Sequence, residues 1–476
     1  MPDILSSYER LRRRVVEEGQ EHVFRFWDQL DDARRRELLT ELDSLDFDEV
    51  SRLVKQHILS AGGQEVALPH LEPAPYIRLP QTEAEQRRHR EAWSVGLETV
   101  RKGLVAAFLV AGGQGTRLGY DGPKGSFPIG PVSGKTLFQL FAEKITASRR
   151  RAGAGIPWYI MTSRDNDEVT REFFRQHHFF GLPNEDVFFL RQGMMPAVDQ
   201  EGRLLMDSPS ALALGPDGHG GAVRAMKRSG ALDDMRRRGI RYISHFQVDN
   251  VLVQPIDPEF IGFHVQSGSQ MSSRMVKKRS ADERVGHFCL VDGRLRVVEY
   301  SDMPAELSEE KQPNGELVFN AGNVAIHLYD VDFVERLNQQ GFELPFHRAW
   351  KKVPFVNDLS HRIRPRQPNA NKFEMFIFDA LPAAQKTLVL EAAREECFSP
   401  VKNARGEDSV ESAQQDMMRQ ATRWIHAAGI DVEVDPAGVP KHRLEVSPLF
   451  ALDAEMLKTR VAAGDLKKIT ANTHFE

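Results

Sequence analysis

The sequence predicts an α/β protein organised around a mostly parallel β-sheet, and three observations carry that reading. Residues Leu104–Val110 form an unbroken apolar run that ends in glycines, the pattern of a strand buried on both faces. Further strand candidates follow at Trp158–Thr162, Val187–Arg191, Tyr242–Val248, Met275–Lys278, Phe288–Val291 and Val318–Phe319. Helical patterns separate several of them, as at Thr136–Arg150 and Asp167–Gln176. Finally, 476 residues with 41% hydrophobic and 28% charged side chains can bury a sizeable core without disulfide or metal staples. Collagen-like, mucin-like and wholly disordered chains are excluded.

Taken in order, residues 1 to about 60 read as helices, because Leu11, Val15 and Val16, then Leu38, Leu39, Leu42 and Leu45, recur at helical spacing between charges. Gly62–Pro80, with two glycines and four prolines, reads as a connector. A helix is expected over Glu83–Lys102, and the sheet begins after Gly103. Beyond about Phe398 the signals weaken to a helix near Gln414–Ala428 and a strand-like tail. The expected organisation is a helical region over 1–100, an α/β domain over 101–385 and a small domain over 386–476.

Lys and Arg total 63 against 68 Asp and Glu, a net charge of −5, which argues against a sequence-independent nucleic-acid binder. The short arginine runs (Arg12–Arg14, Arg34–Arg36, Arg149–Arg151, Arg236–Arg238) alternate with acids and read as solvated helix faces. Two distant cysteines, Cys289 and Cys397, fit a reducing compartment and cannot form a Cys-rich zinc site. The first residues lack a basic stretch followed by an apolar one. The longest nearly apolar segment, Leu104–Gly113, is about half a membrane span. The expectation is a soluble, cytoplasmic chain with no nucleic-acid or membrane partner. The histidines show no metal-ligand spacing, and His177 and His178 receive no role.

The most informative stretch is Leu109-Val-Ala-Gly-Gly-Gln-Gly-Thr-Arg-Leu-Gly119, followed by Pro123-Lys-Gly125. Glycines after a buried strand let backbone N–H groups approach an anion, and Arg117 and Lys124 add charge suited to a triphosphate. A dinucleotide fingerprint fails here, since Leu118 stands where the third glycine belongs. A Walker loop fails at Gly130-Pro-Val-Ser-Gly-Lys-Thr136, which is one residue short and follows no apolar strand.

The glycine stretch resembles the signature of the UDP-sugar pyrophosphorylases, and within them the N-acetylglucosamine branch. The resemblance continues, in the family's order, through Gln192-Gly-Met-Met-Pro-Ala197, Pro216-Asp-Gly-His-Gly-Gly221, Val248-Asp-Asn250, Val298-Glu-Tyr-Ser301, Phe319-Asn-Ala-Gly-Asn323, Phe373-Glu-Met-Phe-Ile-Phe-Asp379, Phe398-Ser-Pro-Val-Lys-Asn403 and Glu445-Val-Ser-Pro-Leu449. It implies a Rossmann-like nucleotidyltransferase sheet. The reaction it implies takes UTP and a sugar 1-phosphate, most simply N-acetylglucosamine 1-phosphate, to a UDP-sugar and pyrophosphate. Glucose or a broader sugar range, and a catalytically silent UDP-sugar sensor, are the alternatives. A sensor would be expected to lose a phosphate-clamping cation or the metal carboxylate, and none is lost.

Residue by residue, the resemblance puts Gly112 and Gly113 against the uridine. Gly115, Thr116 and Arg117 would wrap the β and γ phosphates, with Lys124 near the α-phosphate. Gln192 would bond uracil, and Gly218 would lie beside the base. Asp249 would hold Mg²⁺ or Mn²⁺, whose preference for carboxylate and phosphate oxygens fits. Gly286, Glu299, Asn320 and Asn323 would meet the sugar, Phe376 and Phe378 would border its acetamido group, and Lys402 would reach the sugar phosphate. A monomer or weak homo-oligomer is expected. At His219 the chain departs from the pattern, because the N-acetylglucosamine branch usually has Asn there and the glucose branch has Gly-His-Gly. A histidine offers one donor, and a charge when protonated, in place of the amide's paired donor and acceptor.

Overall fold

The computed structural model describes residues 4–60, 70–339, 344–461 and 468–476; Gly62, Gly63 and Pro69 of the expected connector lie outside them. The described chain divides into two compact units that interleave in sequence, a different division from the three consecutive stretches above. One takes 1–68, 192–221 and 344–377; the other takes 69–191, 222–343 and 378–476.

The second unit holds a ten-stranded sheet among the described residues. Its strands are β1 (Leu71–Pro73), β2 (Val105–Val110), β3 (Trp158–Thr162), β4 (Val187–Arg191), β5 (Tyr242–Gln247), β6 (Met271–Lys277), β7 (His287–Val291), β8 (Arg294–Val298), β9 (Ala321–Asp330) and β10 (Thr387–Glu391). The path runs β1-β7-β9-β5-β2-β3-β4, with β6 beside β9 and β10, and β8 beside β7. Strands β5, β2, β3 and β4 are parallel to one another, whereas β9 runs antiparallel to β5. The chain order reverses at β2, which has later strands on one side and returns on the other. Open sheets of this kind take ligands outside the carboxyl ends at that point.

Local chemistry explains the elements. Val105–Leu109 are completely buried, which demands the continuous apolar run. The helix Glu83–Arg101 starts at a Thr82/Glu85 capping box, and Leu137–Ala152 starts at Thr136 and ends at Gly153 in the left-handed region. Phe138, Phe141, Phe174 and Trp158 fill the space between these helices and the sheet. A smaller apolar cluster joins Ala421, Ile425, Leu444, Leu457 and Ile469 toward the C-terminal end.

Two expectations need correction. Val318–Phe319 is a turn, and the strand begins at Ala321, where the backbone N–H and C=O groups pair with β6. Part of the expected connector is ordered structure: β1 pairs with β7, and Ile77 exchanges hydrogen bonds with Val389 and Glu391. Members of the arginine runs are ion-paired: Arg236 with Glu335 near the surface, and Arg149 with Asp186 in a mostly shielded pair.

The first unit contains the helices Ile4–Glu17, Asp32–Asp43 and Phe47–Val54, and four two-stranded sheets, including Met194–Pro196 with Leu214–Pro216 and Phe346–Lys351 with Ala370–Met375.

Candidate functional site

In the second unit the site grows from the end of β2. The Ala111 N–H is taken by the Met161 carbonyl at 2.7 Å. The next three backbone N–H groups, of Gly112, Gly113 and Gln114, donate to no acceptor among the described residues. The chain then folds back, with the Gly115 N–H donating to Gly122 (2.9 Å) and the Lys124 N–H to Gly113 (3.0 Å). Three consecutive unclaimed donors at a strand end suit the oxygens of an anion or the edge of a base.

The glycines here have different causes. A Cβ at Gly115 would sit 2.7 Å from the Tyr120 ring, and one at Gly125 would strike Phe138. At Gly113 a Cβ would meet nothing nearer than the Lys124 Cε at 4.0 Å, so packing does not require this glycine. The Lys124 side chain therefore crosses the loop beside Gly113. Its Nζ lies 3.8 Å from the Asp249 carboxylate, with both side chains mostly shielded from water. Thr116 and Arg117 sit on the exposed turn Thr116–Leu118, and Arg117 makes no ion pair among the described residues.

Asp249 stands two residues beyond β5. Its carbonyl accepts the Val401 N–H at 2.9 Å. Asn250, next in sequence, donates to the Cys397 carbonyl (2.8 Å) and accepts from the Ser399 N–H (3.0 Å). These bonds dock the Ser399-Pro-Val-Lys-Asn403 run on the carboxyl end of β5. Lys402 is thereby one residue from the Asp249 contact, and its Nζ is 3.3 Å from Asp408.

The sugar candidates of this unit also converge. The Asn323 N–H donates to the Gly286 carbonyl at 2.8 Å, and a Cβ on Gly286 would lie 3.1 Å from the Glu299 carboxylate. Asn320 is buried, its side chain accepting from the Tyr76 hydroxyl at 3.3 Å and its carbonyl from the Lys278 N–H at 2.9 Å. Phe378 is buried in a 3₁₀ segment, Ile377–Ala383. The strand before it ends at Met375, so Phe376 and Phe378 are not one face of a core strand, because the chain turns between them.

In the first unit, Gln192 donates through Nε2 to the Gly218 carbonyl at 2.7 Å, which engages one of the amide hydrogens read as available to a base. Gly218 has φ +86°, and a Cβ there would lie 2.3 Å from the Met375 carbonyl; strand packing requires this glycine. His219 stacks on Phe376, which also stacks on His347. Burial, with the His347 charge adding, lowers the His219 pKa to about 4. Its Nδ1 accepts the Ile377 N–H at 3.2 Å, so the ring is neutral near pH 7 and presents Nε2–H, and the charged form is not available there.

Among the described residues no three His, Cys, Asp or Glu side chains cluster as a metal cage. The lone Asp249 carboxylate nevertheless fits a hard cation that takes its other oxygens from phosphates. The Walker-like segment has a structural explanation. Lys135 pairs with Glu143 (2.9 Å), Thr136 caps a helix, and the Glu445 carboxylate accepts the Val132 and Ser133 N–H groups. Sequence reasoning missed Asn250, Tyr120 and Tyr76. Only the position of Asn250 beside Asp249 at a strand end signalled it.

The model of the family described as UTP–glucose-1-phosphate uridylyltransferase matches residues 69–451. The chain belongs to this family. It is 36% identical over 437 residues to the UDP-N-acetylglucosamine pyrophosphorylase of Saccharomyces cerevisiae, covering 88% of this chain and 91% of the relative. Its structure is similar to that of the uridine diphosphate N-acetylglucosamine pyrophosphorylase of Trypanosoma brucei, with a TM-score of 0.80, 26% identity and coverage of 99% and 98%. A UDP-glucose pyrophosphorylase from Leishmania major, at 16% identity, coverage of 93% and 90%, and TM-score 0.60, shares the fold. The family places the chain among the UDP-sugar pyrophosphorylases, which are nucleotidyltransferases. Among the described residues no helix is long and apolar enough to cross a membrane.

Proposed function

We propose that the chain joins UTP to N-acetylglucosamine 1-phosphate, forming UDP-N-acetylglucosamine and pyrophosphate. The observation that carries the reading is the run of three unclaimed N–H groups at Gly112–Gln114 with the Lys124 ammonium beside it. The whole-chain likeness to relatives named for N-acetylglucosamine supports the choice of sugar.

In this reading a phosphate oxygen of the sugar 1-phosphate attacks the α-phosphorus of UTP. The bond from that phosphorus to the bridging oxygen breaks, and pyrophosphate leaves with the electron pair. The protein's work is to bring two polyanions together and offset their repulsion. The loop N–H groups orient the nucleotide, while Thr116 and Arg117 hold the β and γ phosphates. Lys124 neutralises the α-phosphate as charge develops, and Lys402, released from Asp408, meets the incoming phosphate. Glu299, Asn320 and Asn323 bond the sugar hydroxyls. Asp249 would hold Mg²⁺ or Mn²⁺, which when bound offsets charge on the phosphates. The reading has the chain working in the cytoplasm, without nucleic-acid or membrane partners, as a monomer or weak homo-oligomer.

The test is pyrophosphate release from UTP with a panel of sugar 1-phosphates, using ATP, GTP and TTP as controls. N-Acetylglucosamine 1-phosphate with UTP and a divalent cation is expected to give the fastest release. Release driven equally well by the other nucleotides, or none with any sugar phosphate, overturns the reading.

A further inference from the structure

The three unclaimed N–H groups raise the question of what fixes their peptide planes, and for two of them one side chain supplies the bond. A loop of successive glycines has no side chains to fix its peptide planes, and each plane can rotate at little cost. Asn166 answers it. This residue directly precedes the helix Asp167–Gln176, where an asparagine ordinarily caps its own helix. Its side chain makes no capping bond. It turns instead toward the glycine loop and is 1% exposed.

The Nδ2 group donates to the Ala111 carbonyl at 2.9 Å and lies 3.4 Å from the Gly113 carbonyl. The Oδ1 atom accepts the Ser163 N–H at 2.8 Å. One acceptor and two carbonyl partners leave a single orientation for the amide. In a trans peptide the N–H points opposite to the C=O across the same plane. A hydrogen bond on the Ala111 carbonyl therefore aims the Gly112 N–H away from Asn166. The contact on the Gly113 carbonyl, which also accepts the Lys124 N–H, does the same for the Gln114 N–H.

We infer that Asn166 is a positioning residue for the nucleotide: it sets the two peptide planes that carry the Gly112 and Gln114 N–H groups, without touching UTP itself. The sheet makes this possible, because β3 is the parallel neighbour of β2 and the Ser163–Asn166 segment leaves β3 beside the loop that leaves β2. An aspartate of the same shape would keep the Ser163 bond. It would lose both donations and set a carboxylate against two carbonyl oxygens.

This inference rests on the uridylyltransferase reading, and the experiment separates the two. The Asn166→Asp and Asn166→Ala variants are compared with the parent for KM of UTP, KM of the sugar 1-phosphate and direct UTP binding by calorimetry. Amide exchange of Gly115 and Lys124, whose N–H groups close the loop, is measured without substrates. The expected result is a rise of about tenfold or more in KM and Kd for UTP. The KM of the sugar phosphate should stay within about twofold, and exchange should accelerate at Gly115 and Lys124 but not along β2. Unchanged UTP affinity and unchanged exchange overturn the role of Asn166 while leaving uridylyltransfer intact. An equal rise in both KM values with faster exchange across β2 and β3 also overturns it, since that is general loosening. A parent protein that binds no UTP overturns the functional reading first, and the nucleotide role of Asn166 with it.

Discussion

The molecule contains two glycine-rich turns that look alike in sequence and differ in cause. In the turn after β2, Gly113 is crowded by nothing, and its neighbours' N–H groups are left open. In the turn at 217–221 the glycines are surrounded. Gly218 meets the Met375 carbonyl, Gly220 meets the backbone of Met375 and Phe376, and Gly221 meets the Asp217 carboxylate. In the first turn Gly113 has open space beside it while Gly115 meets Tyr120; in the second, all three glycines meet the protein itself. A run of glycines therefore identifies a binding loop only when the space above it is empty of protein.

The largest expected effect lies in the crowded turn. In Gly218→Ala the new Cβ would overlap a backbone carbonyl, at a φ of +86° that alanine avoids. We expect a loss of about 3 kcal/mol or more, measured as a fall in urea midpoint. A variant as stable as the parent would abolish the distinction between the turns.

Next in size is Lys124→Ala. The ammonium lies over the open turn and 3.8 Å from Asp249, placed to meet charge that develops in the reaction. Turnover should fall about 10²-fold or more, while UTP binding by calorimetry changes only a few-fold. Lys402→Ala should behave likewise. Equal losses of turnover and UTP binding would mean that these lysines hold the ground state.

The difference between the turns also explains how much of the molecule could be read from sequence. Strands Trp158–Thr162 and Val187–Arg191 are legible to the residue, the first because it is buried throughout and the second from its Val-Phe-Phe-Leu run, although it is only partly buried. Strand β9 escapes, since its start is the polar Asn-Ala-Gly-Asn segment and its middle buries His327 against Ser273. The first unit escapes as a unit: three distant pieces of chain build it, and no local pattern announces that they meet. Site residues assigned by the resemblance sit in motifs that are legible in the sequence. Residues that act on backbone, such as Asn166 and Asn250, look like ordinary loop asparagines until their partners are seen.

A smaller effect follows from His219, the side chain at the tip of the crowded turn. It is neutral in the folded protein, with its pKa lowered to about 4, against about 6.5 when unfolded. The folded state thus binds fewer protons in that interval. The stabilisation is complete above pH 6.5 and is lost as pH falls toward 4. Between pH 7 and pH 5 this should cost about 1–2 kcal/mol. In His219→Asn, acid should lower the urea midpoint less than in the parent, and the preference for N-acetylglucosamine 1-phosphate over glucose 1-phosphate should rise. His287, buried and likewise lowered to about 4, keeps its own acid sensitivity in that variant and serves as the internal control. An identical pH slope in variant and parent would show that the crowded turn tolerates a charged ring.

The smallest change in stability, and the sharpest contrast, is expected from Gly113→Ala. Its backbone is not in the left-handed region, and the added methyl finds only the Lys124 Cε at 4.0 Å. Alanine restricts the unfolded chain, so the variant should be as stable as the parent or more stable by roughly 0.5 kcal/mol. The same methyl projects from the turn proposed to receive the nucleotide, and should raise KM for UTP several-fold while leaving the KM of the sugar phosphate alone. Stability and affinity would then move in opposite directions at Gly113, whereas Gly218→Ala loses stability. A Gly113→Ala protein that binds UTP like the parent would place the nucleotide elsewhere than on this loop.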